Sequence, residues 1–197
     1  GGLPPLEFDA ARWLSDEDGF LAEIRAAAEE AGVRLYERDG VVFCYPVLVR
    51  AEPDLAAVRI DKRLDFNIRP STLAAALKKA QAKDPKSKPE RFIEALFQAY
   101  DFVRARKRIA TWPDIALTEI YAVLTLMPGS DREYTLLDFA RDVYYLDTSG
   151  VAATRKGYRI SFPASTVSRE KSAKVLRFVT RDGLEKDYAS IRFAPGS

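Results

Sequence analysis

The chain has 197 residues, 47% of them apolar and 11% aromatic, enough to bury a core, and its 31 Lys/Arg against 29 Asp/Glu leave a net charge of +2. It contains no histidine and a single cysteine, Cys44, which excludes Ser-His-Asp and Cys-His triads, histidine-bearing zinc sites, an intrachain disulfide and cysteine-held clusters. No apolar run approaches the roughly 18 to 20 residues of a membrane span, and no charged-then-apolar leader precedes the first helical pattern, so a cytoplasmic, bacterial-type protein without a membrane partner is expected.

Ser15-Asp16-Glu17-Asp18 sets a hydroxyl ahead of a run of carboxylates. Phe20, Leu21, Ile24, Ala27, Ala28 and Ala31 follow at helical spacing, which predicts a helix over 15–31 closed by Gly32. Val33–Glu37 and Val41–Val49 flank Arg38-Asp39-Gly40, a hairpin signal between two β-rich runs. Cys44 falls inside the second run as a buried structural thiol. A third strand is expected over Ala57–Asp61, after a turn at Glu52-Pro53-Asp54.

Arg69-Pro70-Ser71-Thr72 opens a helix whose Leu73, Ala76, Leu77 and Ala80 share a face. The polar, proline-broken stretch 83–89 then marks the expected division into two lobes, 1–84 and 85–197. Ser87, Pro89 and Glu90 start a further helix carrying Phe92, Ile93, Leu96, Phe97, Tyr100 and Val103, and its end gathers Arg104, Arg106, Lys107 and Arg108 at the negative end of the dipole. Trp112-Pro113-Asp114 introduces a helix over 114–127 that is apolar nearly all round and therefore expected to be central and buried. Thr135 and Asp138 cap a helix running to about Leu146, which Gly150 closes. Strands are then expected at 151–154, 158–162, 175–180 and 186–193, with a turn at Asp182-Gly183. The fold class that follows is α+β: an N-terminal helix with a small antiparallel sheet, a central helical layer, and C-terminal antiparallel hairpins.

The near-neutral total hides blocks of charge. Residues 59–108 hold 14 Lys/Arg against 6 Asp/Glu and 151–197 hold 10 against 4, whereas 1–30 hold 2 against 8 and 109–150 hold 2 against 7. Basic surface focuses polyanions whatever the whole-molecule charge. Cations interleaved with aromatics single out Lys78, Lys79, Lys83, Lys86 and Lys88, then Arg104, Arg106, Lys107 and Arg108 beside Trp112, then Arg155, Lys156 and Arg159 around Tyr158.

The order helix, turn, helix, then a hairpin with the basic tip Arg155-Lys156-Gly157 resembles the winged helix, a family of DNA-binding and protein-interaction modules, over residues 89–193. The resemblance implies that helix 136–147 enters the major groove. That helix, however, carries Asp138, Asp142 and Asp147 against Arg141 alone, which moves the expected contact to the hairpin tip and the other basic segments. No glycine-rich phosphate loop is present, and Ser168-Arg169-Glu170-Lys171 matches S-x-x-K without the companion motifs that would give it catalytic meaning. Asp138 and Asp142, four residues apart on a helix, are spaced so that they could share a divalent cation. No catalytic residue, metal or cofactor is assigned. The expected function is a non-enzymatic module binding nucleic acid through its basic helix and hairpin surfaces; the alternative is an assembly subunit whose acidic and basic faces meet a protein partner or a second copy, and ranked after both is an enzyme that works without histidine through carboxylates or a Ser/Lys pair.

Overall fold

A computed structural model describes residues 9–38, 41–82, 88–163 and 175–196. Helices and antiparallel sheets are mixed in an α+β architecture, and no helix among the described residues is long and apolar enough to cross a membrane. The chain divides into two compact units, 1–85 with 181–183, and 86–180 with 184–197.

In the first unit the helix expected over 15–31 is built in pieces. Helix α1 (Ala10–Ser15) precedes it, capped by Asp9, whose Oδ1 accepts from the Arg12 amide at 3.0 Å. Ser15 is therefore the end of a helix and not a cap, and its hydroxyl donates to the Ala11 carbonyl. A π-helical turn, Glu17–Leu21, carries the chain into α2 (Ala22–Glu30). Trp13 fixes this corner: its indole donates to Glu23 and its ring meets Phe20 edge-on at 5.2 Å.

The sheet of this unit is a five-stranded meander, β1 (Tyr36–Arg38), β2 (Val41–Cys44), β3 (Val47–Glu52), β4 (Ala57–Ile60) and β5 (Arg63–Asp65), each strand antiparallel to the next. The single strand expected over 41–49 breaks at Tyr45-Pro46, because proline cannot donate to the ladder, and Cys44 instead faces Val47 across a turn. Asp39-Gly40, the anticipated turn, lies outside the described residues. Strand β5 adds to the expected sheet; Asp61, at φ 52°, turns the chain into it and accepts from the Leu48 amide at 2.9 Å. Helix α3 (Pro70–Gln81) starts with Pro70 in its first turn, and Leu73 and Leu77 join Ile24, Ala28, Val42, Val49 and Val58 in one apolar core. Cys44 is fully buried there, and burial pushes its thiol up to about 12, the inert state expected of a structural cysteine.

The second unit begins with α4 (Pro89–Arg106), Pro89 in its first turn and Lys88 at the cap position; Ser87, read as the cap, lies outside the described residues. The stretch read as one helix over 114–127 is shorter: Ile115–Ala116 form β6, and α5 spans Leu117–Leu124. Leu117 and Ile120 are buried, but Leu126 and Met127, which the all-apolar reading placed in the interior, lie beyond the helix and face solvent. A single turn, α6 (Ser130–Glu133), follows Gly129, and α7 (Leu136–Thr148) carries the expected Thr135/Asp138 capping box. The expected strand 151–154 is a lone bridge between Ala153 and Arg159. Strand β7 (Tyr158–Ser161), β8 (Leu176–Val179), β9 (Glu185–Tyr188) and β10 (Ser190–Pro195) complete the unit.

The run 186–193 is thus two strands in two sheets. Strand β10 lies between β6 and β7, whereas β9 pairs with β8 across the Asp182-Gly183 turn. The change of partner falls at Ala189, whose carbonyl accepts from the Leu117 amide at 3.0 Å. Helix α4 buries Leu96, Tyr100 and Val103, α5 Leu117 and Ile120, α7 Phe139, Val143 and Leu146, and β10 Ile191 and Phe193.

Candidate nucleic-acid interface

The basic turn 155–157 is the tip of a small hairpin held by a set of backbone hydrogen bonds. The Thr154 amide donates to the Tyr158 carbonyl, the Gly157 amide to the Thr154 carbonyl and the Ile160 amide to the Ala152 carbonyl, at 2.9, 2.9 and 3.0 Å. Thr154, 5% exposed, adds its hydroxyl, which accepts from the Tyr158 amide at 3.0 Å. The Arg155 amide donates to the Glu94 carboxylate on α4 at 2.6 Å, so the tip is anchored to that helix. Gly157 sits at φ 84°, which a side chain would strain. A rigid backbone thus presents three cations, Arg155, Lys156 and Arg159, all exposed and none ion-paired among the described residues.

Beneath the tip the aromatics are structural. Tyr158 stacks on Phe97 of α4 at 4.4 Å, and Trp112 lies 5.1 Å from Tyr158. The Arg104 guanidinium sits 4.0 Å over the Trp112 ring while donating to Asp101 at 2.7 Å and reaching the Ala110 carbonyl. Arg104 therefore latches the 107–112 turn onto α4, and its charge is offset by a neighbouring carboxylate. Trp112, packed against Arg104 and parallel to Tyr100 and Phe97, serves the fold as an internal plate.

Strand register identifies a cation that the sequence reading did not select. Residues directly opposite one another in an antiparallel pair share a face, so Arg192, opposite Ser161, and Ala194, opposite Arg159, place Arg192 and Arg159 diagonally on the outward face of β7–β10. Arg192 pairs with Asp114 at 2.7 Å, and that bond and charge raise its pKa. The sequence held the signal: Ser190, Arg192 and Ala194 alternate with the buried Ile191 and Phe193.

The remaining candidates separate. Arg106 and Arg108 are exposed at the end of α4 and have no ion pair among the described residues, whereas Lys107 is bound to Glu119 at 2.6 Å. Lys88 stands at the opposite end of this 18-residue helix, about 27 Å away at helical rise. Lys78 and Lys79 are exposed in the last turn of α3, in the other unit. Lys83 and Lys86, and the Ser168–Lys171 motif, lie outside the described residues.

Helix α7 is wired inward. Asp138 is 4% exposed, accepts from the Thr135 amide and hydroxyl at 3.0 and 2.6 Å, and meets Arg141 at 3.4 Å. Asp142 accepts from the Tyr134 hydroxyl at 2.8 Å and faces Arg141 at 3.7 Å; burial raises its carboxyl above the usual range, against the pull of Tyr134 and Arg141. Asp147 takes the Tyr188 hydroxyl at 2.8 Å and Lys186 at 3.3 Å. Burial raises the Tyr134 and Tyr188 phenols, and the adjoining carboxylates raise them further. Tyr144 stacks on Phe178 of β8 at 5.0 Å, so the β8–β9 hairpin lies along α7. Arg141 between Asp138 and Asp142 leaves that pair an ion-paired clasp, and no cluster of three potential metal-ligating side chains occurs among the described residues.

No protein-family model, curated protein or solved structure matches this chain.

Proposed function

We propose that the second unit is a winged-helix-like module that binds nucleic acid by its phosphate backbone, through Arg155, Lys156 and Arg159 with Arg192 beside them. Support for the winged-helix likeness is the order α4, β6, α5, α6, α7, β7, β8, β9, β10, in which the short strand between α4 and α5 joins the first and last of the four strands after α7 in one sheet, in the order β6-β10-β7, while β8 and β9 pair apart from it. What favours a backbone-binding mode is the anchored hairpin tip bearing three cations that have no ion pair among the described residues. Groove insertion by α7 is not part of the proposal. That helix presents three carboxylates to internal partners and is flanked by β8, and a phosphate-lined groove repels acids. Contacts of this kind position a protein on nucleic acid without reading sequence, so weak, salt-sensitive and sequence-indifferent binding is expected.

The test is fluorescence anisotropy of the whole chain with duplex DNA, duplex RNA and single strands across a salt series. Replacing Arg155, Lys156 and Arg159 together by Glu should reduce affinity at least about tenfold and lower the log–log salt slope by about 3, near one unit for each phosphate no longer neutralised. An unchanged affinity and slope on all three probes sinks the proposal.

A further inference from the structure

The turn joining α5 to α7 carries large apolar side chains in solvent: Leu126 is 68% exposed, Met127 72%, and Leu136, the first residue of α7, 41%. The turn is held in place. The Tyr121 hydroxyl donates to the Tyr134 carbonyl and the Thr125 hydroxyl to the Tyr121 carbonyl, both at 2.8 Å. The Ser130 amide closes onto the Met127 carbonyl at 3.0 Å and the Tyr134 amide onto the Ser130 carbonyl at 2.8 Å. Tyr121 and Tyr134 both pack on the buried Phe139, at 5.5 and 6.3 Å. A preorganised apolar surface loses little freedom on docking, and exposed methionine is suited to an adaptable contact.

Charge completes the picture. Asp131 and Glu133 on α6 are exposed and have no ion pair among the described residues. The same unit holds the complement, since Phe102 on α4 is 50% exposed, Arg106 follows it four residues on along the same helix face, and Arg108 lies just past the helix end. Arg106 and Arg108 are likewise exposed and unpaired among the described residues. One surface is therefore apolar with two acids around the exposed Arg132, a net charge of −1 on α6, and the other is apolar with arginines.

We infer that two copies of this chain associate, each setting its Leu126–Met127–Leu136 turn on the Phe102–Arg106 side of α4 in the other, with Asp131 and Glu133 facing Arg106 and Arg108. Reciprocal use of the two surfaces gives a closed, two-fold pair, and opposite charges fix the docking orientation. The inference is independent of the nucleic-acid reading and uses none of its cations.

Analytical ultracentrifugation of the full chain over a concentration and salt series tests it. The wild-type chain should dimerise, more weakly as salt rises. Replacing Leu126 and Met127 by Ser, or Arg106 and Arg108 by Glu, or Asp131 and Glu133 by Lys, should each weaken the dimer by at least about tenfold. Mixing the Glu variant, acidic on both surfaces, with the Lys variant, basic on both, should restore association as a mixed dimer. That rescue cannot come from misfolded chains. A wild-type chain that stays monomeric at every concentration, a dimer indifferent to all three changes, or charge-reversed variants that fail to pair with each other would each overturn the inference.

Discussion

The carboxylates of α7 and the cations of the 155–159 hairpin are similar in number and stand only a few residues apart in the chain, yet the fold treats them oppositely. Asp138, Asp142 and Asp147 are each met by a hydroxyl and a cation inside the protein. Among the described residues, Arg155, Lys156 and Arg159 have no such partners, on a backbone that is itself hydrogen-bonded. A block of like charge in a sequence therefore says little until its partners are known. Internal charges build the scaffold, and a rigid element that leaves its charges open is the place to look for a ligand.

The largest effect that distinguishes the two regions is expected at Asp138. Its carboxylate caps α7 and faces Arg141, with 5% of the side chain exposed. Asp138→Ala removes the carboxylate half of the capping box and one of the two carboxylates that face the largely buried Arg141 guanidinium, so a loss of about 2 kcal/mol is expected in denaturant unfolding of the whole chain. Thr135→Ala, which removes only the reciprocal hydroxyl, should cost about 1 kcal/mol. A loss at Asp138 no larger than that at Thr135 would mean that α7's acids are not the scaffold described.

Acidity provides a second contrast. Burial raises the Asp142 carboxyl from its ordinary 3.8, and the Tyr134 hydroxyl and Arg141 only partly oppose that. A raised folded-state pKa means that the native protein takes up this proton more readily than the unfolded chain does, so stability from this group is gained as pH falls through the folded value and lost as pH rises through it. Asp142→Asn removes that dependence. Unfolding measured from neutral pH down to about pH 4 should show the wild-type chain gaining on the variant as pH falls, and a difference constant with pH would contradict the burial described.

How much of this was legible in the sequence follows the range of the interactions. The α7 capping box and the proline start of α4 were legible because cap and proline chemistry act within one turn of helix. The break of strand 41–49 was also local, at Pro46, and the β-rich run around it hid it. The change of sheet after Tyr188 left a trace as well: buried Tyr188, Ile191 and Phe193 do not keep one parity, so a single half-buried strand over 186–193 conflicts with its own alternation. At the site, the hairpin tip and its three cations could be read from a short turn. The pairing of Arg104 with Asp101 lay three residues away and was open to inspection. Lys107 with Glu119 and Arg192 with Asp114 join residues 12 and 78 positions apart, and only the folded chain brings them together.

Lys107 and Lys156, both surface lysines, give the smallest and most discriminating comparison. Lys107 holds Glu119 at 2.6 Å with both side chains more than a third exposed, at 40% and 36%, so solvent screening limits the pair to at most about 1 kcal/mol. Lys156 has no ion pair among the described residues, and its replacement by Ala should change stability by less than about 0.5 kcal/mol. If Lys156 serves a ligand and Lys107 serves the fold, nucleic-acid binding should rank them the other way. Lys156→Ala should weaken binding and flatten its salt dependence by about one unit, while Lys107→Ala leaves both unchanged, its charge being already matched by Glu119. Stability and binding measured on the same two variants thus separate scaffold charge from ligand charge, and a parallel ranking in both assays would erase the distinction.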